Sequence, residues 1–189
     1  LRDNPHLNQE EYEQNLYKLD PVEAARLLSG DWTIREAGIM FPRDKVGIVS
    51  EEPPNCRYAR AWDTASTPGG GDWTVGLLMA QAPDKEIYVV DVKRARLSPL
   101  GVKRLIASTA VSDAARGHVA ILMGQEPGSS GVIVVDDYKR DTLLGHDFQG
   151  VKETGSKVDR ARPLSALWEA GHVHLVRGAW NAKFLDEYE

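Results

Sequence analysis

The 189-residue sequence contains a single cysteine, Cys56, so an internal disulfide is excluded and a cysteine-based zinc site is disfavoured. Both points fit a reducing compartment. Long apolar runs are also lacking: the longest, such as Val75–Ala80 and Val119–Met123, are too short to span a bilayer. We therefore expect no membrane segment. The first residues have neither an apolar signal core nor an initiator Met, so we expect a piece of a longer protein.

An excess of positive charge is lacking as well. The sequence has 23 Lys and Arg against 28 Asp and Glu, a formal net charge of −5. This argues against a protein that grips nucleic acid through basic residues over its whole surface. It leaves room for an enzyme with a carboxylate metal site and basic residues on one face. The hydrophobic share of 42% and the length suit one soluble globular domain.

Residues 1–50 predict a helical linker segment. Two short helices are expected over 10–19 and 21–29, with Asp20 as the N-cap of the second and Pro21 in its first turn. Residues 31–56 show few periodic signals, apart from one predicted strand near Val46–Val49. We therefore place the main domain at residues 51–189.

The main domain predicts an α/β fold with a mixed sheet. Its first three strands are expected to form an antiparallel meander, at Arg57–Asp63, Trp73–Gln81 and Glu86–Val92. A helix capped by Ser98 follows and runs to about Arg116. Its predicted buried stripe comprises Val102, Leu105, Ile106, Thr109, Ala110 and Val111.

The rest of the chain alternates between strands and helices. Strands are predicted at His118–Met123, Phe148–Val151 and His172–Val176, and helices over about 129–144, over about 158–170 and from Asn181. The order βββαβαβα is that of an RNase H-like domain, with a mixed β-sheet flanked by helices. A fold by itself does not establish a function.

Two carboxylates stand at predicted strand ends. Asp63 ends the first strand of the meander, and Glu126 follows the fourth strand. If those strands are parallel neighbours, both side chains leave the same edge of the sheet. Oxygen donors there suit Mg²⁺ or Mn²⁺, and two such ions can act together in phosphodiester hydrolysis. Asp63 is our candidate for the ligand that bridges both ions. The alternative is that both are surface acids.

Six blocks of the sequence resemble, in order, the nuclease of phage terminase large subunits and the segment that precedes it. The stretches that resemble the two catalytic motifs are RAWDTAS (60–66) with GDWT (71–74), and QEPGSSG (125–131). The stretches YEQNL (12–16) and LLSGDW (27–32) resemble the segment that joins the packaging ATPase to the nuclease. Later blocks match at KVDRA (157–161) and at Trp180 with FLDE (184–187). No phosphate-binding loop of the ATPase type is present in the sequence, so the resemblance implies that residues 1–50 join to a missing ATPase domain.

The resemblance implies a two-metal endonuclease that cleaves double-stranded DNA, with Asp63 and Glu126 as catalytic residues and metal ligands. It adds Asp72 as a further possible ligand, although Asp72 could equally be a turn residue. The family's third acid lies in an acidic pair after the FLDE block. We therefore expect it beyond Glu189 and expect this chain alone to be weak or inactive.

Two groups of basic residues are candidates for DNA contacts. Lys93, Arg94, Arg96, Lys103 and Arg104 form one group, and Lys157, Arg160 and Arg162 form the other. We predict DNA contacts only for the second group, because it follows a loop containing Gly155 and matches a family block. A solvated charged surface is the alternative for any single residue.

The resemblance also implies partners and a location. It implies assembly with a portal ring and a terminase small subunit, in the cytoplasm of an infected bacterium and transiently at the capsid. Two alternatives stay open at this point. One is another RNase H-like nuclease, such as a resolvase or transposase core, and the other is a non-catalytic DNA-binding or motor-docking module.

Overall fold

The structure is a computed structural model that describes residues 40–64, 72–126, 128–152 and 154–188. These residues form seven strands: β1 (Gly47–Val49), β2 (Arg57–Asp63), β3 (Thr74–Gln81), β4 (Ile87–Ala95), β5 (Val119–Gln125), β6 (Phe148–Lys152) and β7 (Val173–Val176). They also form four α-helices: α1 (Pro99–Ala114), α2 (Ser129–Asp137), α3 (Lys157–Glu169) and α4 (Asn181–Tyr188). The two helices predicted between residues 10 and 29 lie outside the described residues.

The seven strands make one sheet in the order β1-β7-β4-β3-β2-β5-β6. β3 is antiparallel to both of its neighbours, which confirms the predicted meander, and every other adjacent pair is parallel. Strands β2, β4, β5 and β6 therefore end at one edge of the sheet. We call it the carboxyl edge, marked by Asp63, Ala95, Gln125 and Lys152. The predicted RNase H-like α/β fold is confirmed.

Helices cover both faces of the sheet. On one face, which we call the α1 face, Trp62 of β2 and Met123 of β5 pack with Ile106 of α1 and Tyr138. On the other, the α3 face, a second apolar cluster joins Trp168 of α3 to α4, β4 and β7. The crossovers β4-α1-β5 and β5-α2-β6 run in one direction across the sheet, and β6-α3-β7 runs back. Right-handed connections therefore place α3 on the opposite face.

Residues 40–49 belong to this globular unit, although the sequence placed them in the linker. Phe41 is buried in the α3-face cluster, and β1 pairs with β7. The Ser165 hydroxyl donates a hydrogen bond to the Met40 carbonyl oxygen at 2.7 Å. The fold thus extends at least to Met40. Among the described residues, no helix has the length and apolar character needed to cross a bilayer.

The predicted helices need two corrections. Val111 is 68% exposed, because a helix turns about 100° per residue and carries Val111 roughly 180° away from Val102. The helix predicted over 129–144 is α-helical only to Asp137 and ends in a π-helical turn, Tyr138–Thr142. The predicted cap of α1 is confirmed, since the Ser98 hydroxyl accepts a hydrogen bond from the Gly101 amide at 3.3 Å.

Candidate metal and DNA site

Asp63 and Glu126 lie at the carboxyl ends of adjacent parallel strands. Trp62 of β2 pairs with Met123 of β5, so Asp63 is the next residue along and the last of β2. Glu126 directly follows Gln125, the last residue of β5. Both acids are exposed. The sheet thus brings the two strand ends together as the sequence predicted, while their role as metal ligands remains a prediction.

Close packing of a glycine fixes the main chain at Glu126. Gly131 is buried in the first turn of α2, and a Cβ built on it would overlap the Glu126 carbonyl oxygen. The same Cβ would lie 3.0 Å from the Glu126 amide nitrogen. Gly128, just before α2, has φ = 97°, a conformation that favours glycine. The GSSG stretch therefore lets α2 begin directly against the residue that carries the candidate ligand.

A large aromatic ring holds the end of β2. Trp62 is 3% exposed and covers Gly76 of β3, where a Cβ would lie 2.5 Å from the ring. Because side chains alternate along a strand, burial of Trp62 on the α1 face directs Asp63 to the α3 face.

A buried ion-pair network anchors the same strand. Arg60 is 1% exposed, and its Nε and Nη2 donate hydrogen bonds to the two carboxylate oxygens of Asp113 on α1 at 2.8 and 2.9 Å. Its Nη2 also donates to Asp91 of β4 at 2.8 Å, and its Nη1 to the Gly76 carbonyl oxygen at 3.1 Å. Arg60 thus ties β2 to α1, β3 and β4. Sequence reasoning missed this network, because the acids are 31 and 53 residues away.

Asp72 lies two residues before β3, at the same carboxyl edge, and is exposed. Thr74 of β3 is buried, and the alternation along β3 carries the intervening Trp73 to the α3 face, the side of Asp63. The role of Asp72 as a metal ligand remains a prediction. Its position at the carboxyl edge favours that role, whereas the alternation along β3 directs its side chain away from the side of Asp63.

The donor chemistry at the carboxyl edge fits a hard divalent cation. Asp63 and Glu126 are exposed residues with carboxylate side chains, the ligand type that Mg²⁺ and Mn²⁺ prefer. Within the described ranges, no three His, Cys, Asp or Glu residues are close enough to form a metal-binding group. Of the acids on α4, Asp186 pairs with Arg43 at 2.8 Å and Glu187 pairs with Arg94. Their ion pairs agree with the interpretation that neither is the third ligand.

The predicted DNA-binding residues lie on α3, which begins shortly after β6 reaches the carboxyl edge. Lys157, Arg160 and Arg162 are all exposed. Lys157 and Arg160 are one turn apart and share a side of the helix, whereas Arg162 is about 200° further round than Arg160. Arg162 is also paired with Asp159 at 3.6 Å. The three basic residues therefore lie on different sides of α3, around its buried surface, and do not form one patch.

The other basic group is largely neutralised by acids. Lys93 pairs with Asp91 at 3.2 Å, Lys103 with Asp137 at 2.6 Å, and Arg94 with Glu187. The hydrogen bond to Asp137 raises the pKa of Lys103 above its ordinary value. Arg96 lies over the ring of Trp73, as Arg94 does. Unlike Arg94, it forms no ion pair with an acid among the described residues. The sequence signal for this contact was the alternation of Arg94, near the end of β4, and Arg96, just after it, opposite Trp73, which directly precedes β3.

A family model described as the terminase RNaseH-like domain matches residues 60–189. Similar solved structures include the large terminase nuclease of thermophilic phage G20c with bound magnesium, at 15% identity and a TM-score of 0.56, covering 77% of this chain and 75% of that one. The Thermus phage P74-26 large terminase nuclease domain has 15% identity and a TM-score of 0.52, covering 77% and 73%. At these identities the likeness shows the fold.

The large terminase of another thermophilic bacteriophage, solved in complex with ADP, is similar over a longer stretch. It has 14% identity and a TM-score of 0.58, covering 99% of this chain but 45% of that one. This chain therefore spans about half the length of that large terminase. Further structures of the G20c nuclease contain bound zinc and bound cobalt. No curated protein sequence matches the chain.

Proposed function

The chain belongs to the terminase RNaseH-like domain family, and on that premise we propose that it is a metal-dependent endonuclease that cleaves double-stranded DNA during phage genome packaging. The observation that carries the proposal is the position of Asp63 and Glu126 at the ends of adjacent parallel strands. Both carboxylates leave the same edge of an RNase H-like sheet. The bound magnesium, zinc and cobalt of the similar G20c nuclease support a divalent cation as the cofactor.

Each residue of the proposed site has a distinct part. Asp63 and Glu126, with Asp72 as a further candidate, would hold two Mg²⁺ or Mn²⁺ ions, and Asp63 would bridge them. Such ions supply a water of lowered pKa and neutralise charge on the attacked phosphate. The negative charge of Asp63 offsets the repulsion between two cations at close range. Gly131 sets the position of Glu126, and Trp62 and Arg60 hold the end of β2 rigid.

Membership of the family supports a proposal for the substrate, the partners and the location of the reaction. We propose double-stranded DNA as the substrate, with a portal ring and a terminase small subunit as partners. The corresponding location is the cytoplasm of an infected bacterium, with transient attachment to the capsid. The family match makes a resolvase or transposase core the weaker alternative. A non-catalytic DNA-binding or motor-docking module stays as a second candidate, because the described residues contain no group of three possible metal ligands.

Cleavage of supercoiled plasmid tests the proposal. The 189-residue chain, and a longer version that includes the acidic pair expected beyond Glu189, are incubated with plasmid and Mg²⁺, Mn²⁺ or EDTA. We expect nicked and linear DNA with either cation, more from the longer version, and none with EDTA. Glu126→Gln should lose this activity, while Asp84→Asn, which alters an exposed acid at the opposite edge, should keep it. Absence of cleavage by both versions, with intact DNA binding, would favour the non-catalytic module.

A further inference from the structure

Two arginine side chains lie against the ring of Trp73 at the carboxyl edge, beside the proposed cleavage site. The guanidinium carbons of Arg94 and Arg96 lie 4.0 and 4.3 Å from the centre of its ring. Val75 of β3 pairs with Asp63 on one side and with Arg94 on the other. Residues paired across strands share a face of the sheet, so Asp63 and Arg94 lie on the α3 face. The cluster of Trp73, Arg94 and Arg96 is therefore on the same face and edge as Asp63.

The two arginines differ in how their charge is balanced. Arg94 is three-quarters buried and forms an ion pair with Glu187 of α4. Arg96 is exposed, and within the part of the chain that the structure describes it has no carboxylate partner. The ring of Trp73 attracts the guanidinium of Arg96 without neutralising its charge. Arg96 is thus a cation held in a defined place and available to an anion.

We propose that the cluster of Trp73, Arg94 and Arg96 is a phosphate-binding site for one strand of the DNA duplex. The proposal rests on the proposed function for the identity of its substrate. Arg96 contacts the phosphate, Trp73 positions the Arg96 guanidinium, and Arg94 fixes the ring from the side of Glu187. An arginine side chain that is already held in its binding position loses less conformational entropy on binding a phosphate than a freely moving one does.

The cluster lies close to the proposed cleavage site. Arg94 is two strands from Asp63, or about 10 Å at the usual strand spacing, so one bound duplex could reach both Asp63 and Arg96. Base stacking on Trp73 is the weaker alternative, because two guanidinium groups already contact the ring, which is 37% exposed. A phosphate contact carries no sequence information, so the contact is expected for any DNA sequence.

Binding without cleavage tests the site. Fluorescence anisotropy of a labelled duplex of about 30 base pairs is measured in EDTA over a range of salt concentrations, with the unmodified chain and three variants. Arg96→Ala removes the proposed contact, and Trp73→Leu removes the ring but keeps every charge. Arg57→Ala is the matched control, since Arg57 is an exposed arginine at the opposite end of β2. Thermal melting of each variant verifies that it is folded.

Arg96→Ala should weaken binding about five- to tenfold at low salt and lower the log–log salt slope by about one. Trp73→Leu should weaken binding with a smaller change of slope, and Arg57→Ala should change neither quantity. The proposal is overturned if Arg96→Ala behaves like Arg57→Ala, or if Trp73→Leu binds as the unmodified chain does. Because EDTA removes cleavage from the measurement, these outcomes are independent of whether Asp63 and Glu126 support catalysis.

Discussion

Gly131 of α2 packs so closely against Glu126 that a Cβ at position 131 would overlap the Glu126 carbonyl oxygen. Only glycine therefore permits this approach of the helix start to the end of β5. The contact explains why position 131 is a glycine, although the backbone conformation there does not itself require one. It links the local sequence to the site, because whatever displaces α2 also displaces the carboxylate at position 126.

Gly131→Ala should therefore impair cleavage although it removes no carboxylate. The added methyl group overlaps the Glu126 main chain, so Glu126 or the start of α2 must shift by at least several tenths of an ångström. A shift of about 1 Å in a catalytic group can cost on the order of 100-fold in rate. The measurement is plasmid linearisation in Mn²⁺ by the longer version of the chain. Ser130→Ala is the control in the same turn, and equal rates for the two variants would contradict the role of Gly131.

Arg60→Ala should destabilise the fold strongly. The substitution leaves the buried carboxylate of Asp113, on α1, without its positively charged partner, which typically costs about 3–5 kcal/mol. Urea unfolding followed by circular dichroism measures the free energy of unfolding. Arg57→Ala changes an exposed arginine on the same strand and should stay within about 0.5 kcal/mol of the unmodified chain. A loss below about 1 kcal/mol for Arg60→Ala would show that the buried network does not anchor β2.

Replacing Lys157, Arg160 and Arg162 together by Ala should weaken DNA binding for all sequences. Each lost phosphate contact lowers the log–log salt slope by about 0.9, so the full group would lower it by up to about 2.7. Arg162 faces away from Arg160 and pairs with Asp159, which favours a smaller value. Anisotropy titrations in EDTA measure the slope, with Arg57→Ala and Lys85→Ala combined as the control at the opposite edge. An unchanged slope would remove α3 from the DNA surface.

Much of the fold was predictable because its signals are local. β2 was predicted with its observed limits, a nearly continuous apolar run predicted β3 to within one residue, and Ser98 marked the start of α1. Pairing between distant strands has no such signal. Val46–Val49 was predicted as a strand, yet its parallel partner β7 begins far along the chain, at Val173, and only the folded chain shows that they pair. The π-helical end after Asp137 likewise depends on packing against the sheet.

The site was predictable in part for the same reason. Asp63 and Glu126 each end a strand, and parallel pairing is enough to bring strand ends to one edge. The structure adds what holds them: the Gly131 contact and the Trp62 ring are read from packing, which no spacing rule supplies. The arginines over Trp73 were present as a charge cluster in the sequence. Their difference in pairing appears only when Glu187 of α4 is brought beside Arg94.

The most direct test of the account is the effect of Asp63→Asn on cleavage by the longer version of the chain. The amide keeps the shape of the side chain but loses the negative charge that would hold two divalent cations close together. Asp63 is exposed and has no part in the Arg60 network, so the fold should survive the change. Melting temperatures, recorded with and without Mn²⁺, accompany the cleavage assay.

We predict that Asp63→Asn abolishes nicking and linearisation of supercoiled plasmid in Mg²⁺ and in Mn²⁺. Without metal, its melting temperature should match that of the unmodified protein, and the shift on adding Mn²⁺ should shrink. DNA binding in EDTA should be retained. Near-normal cleavage by the Asp63→Asn variant, in a protein with unchanged melting, would contradict the assignment of Asp63 as the central metal ligand.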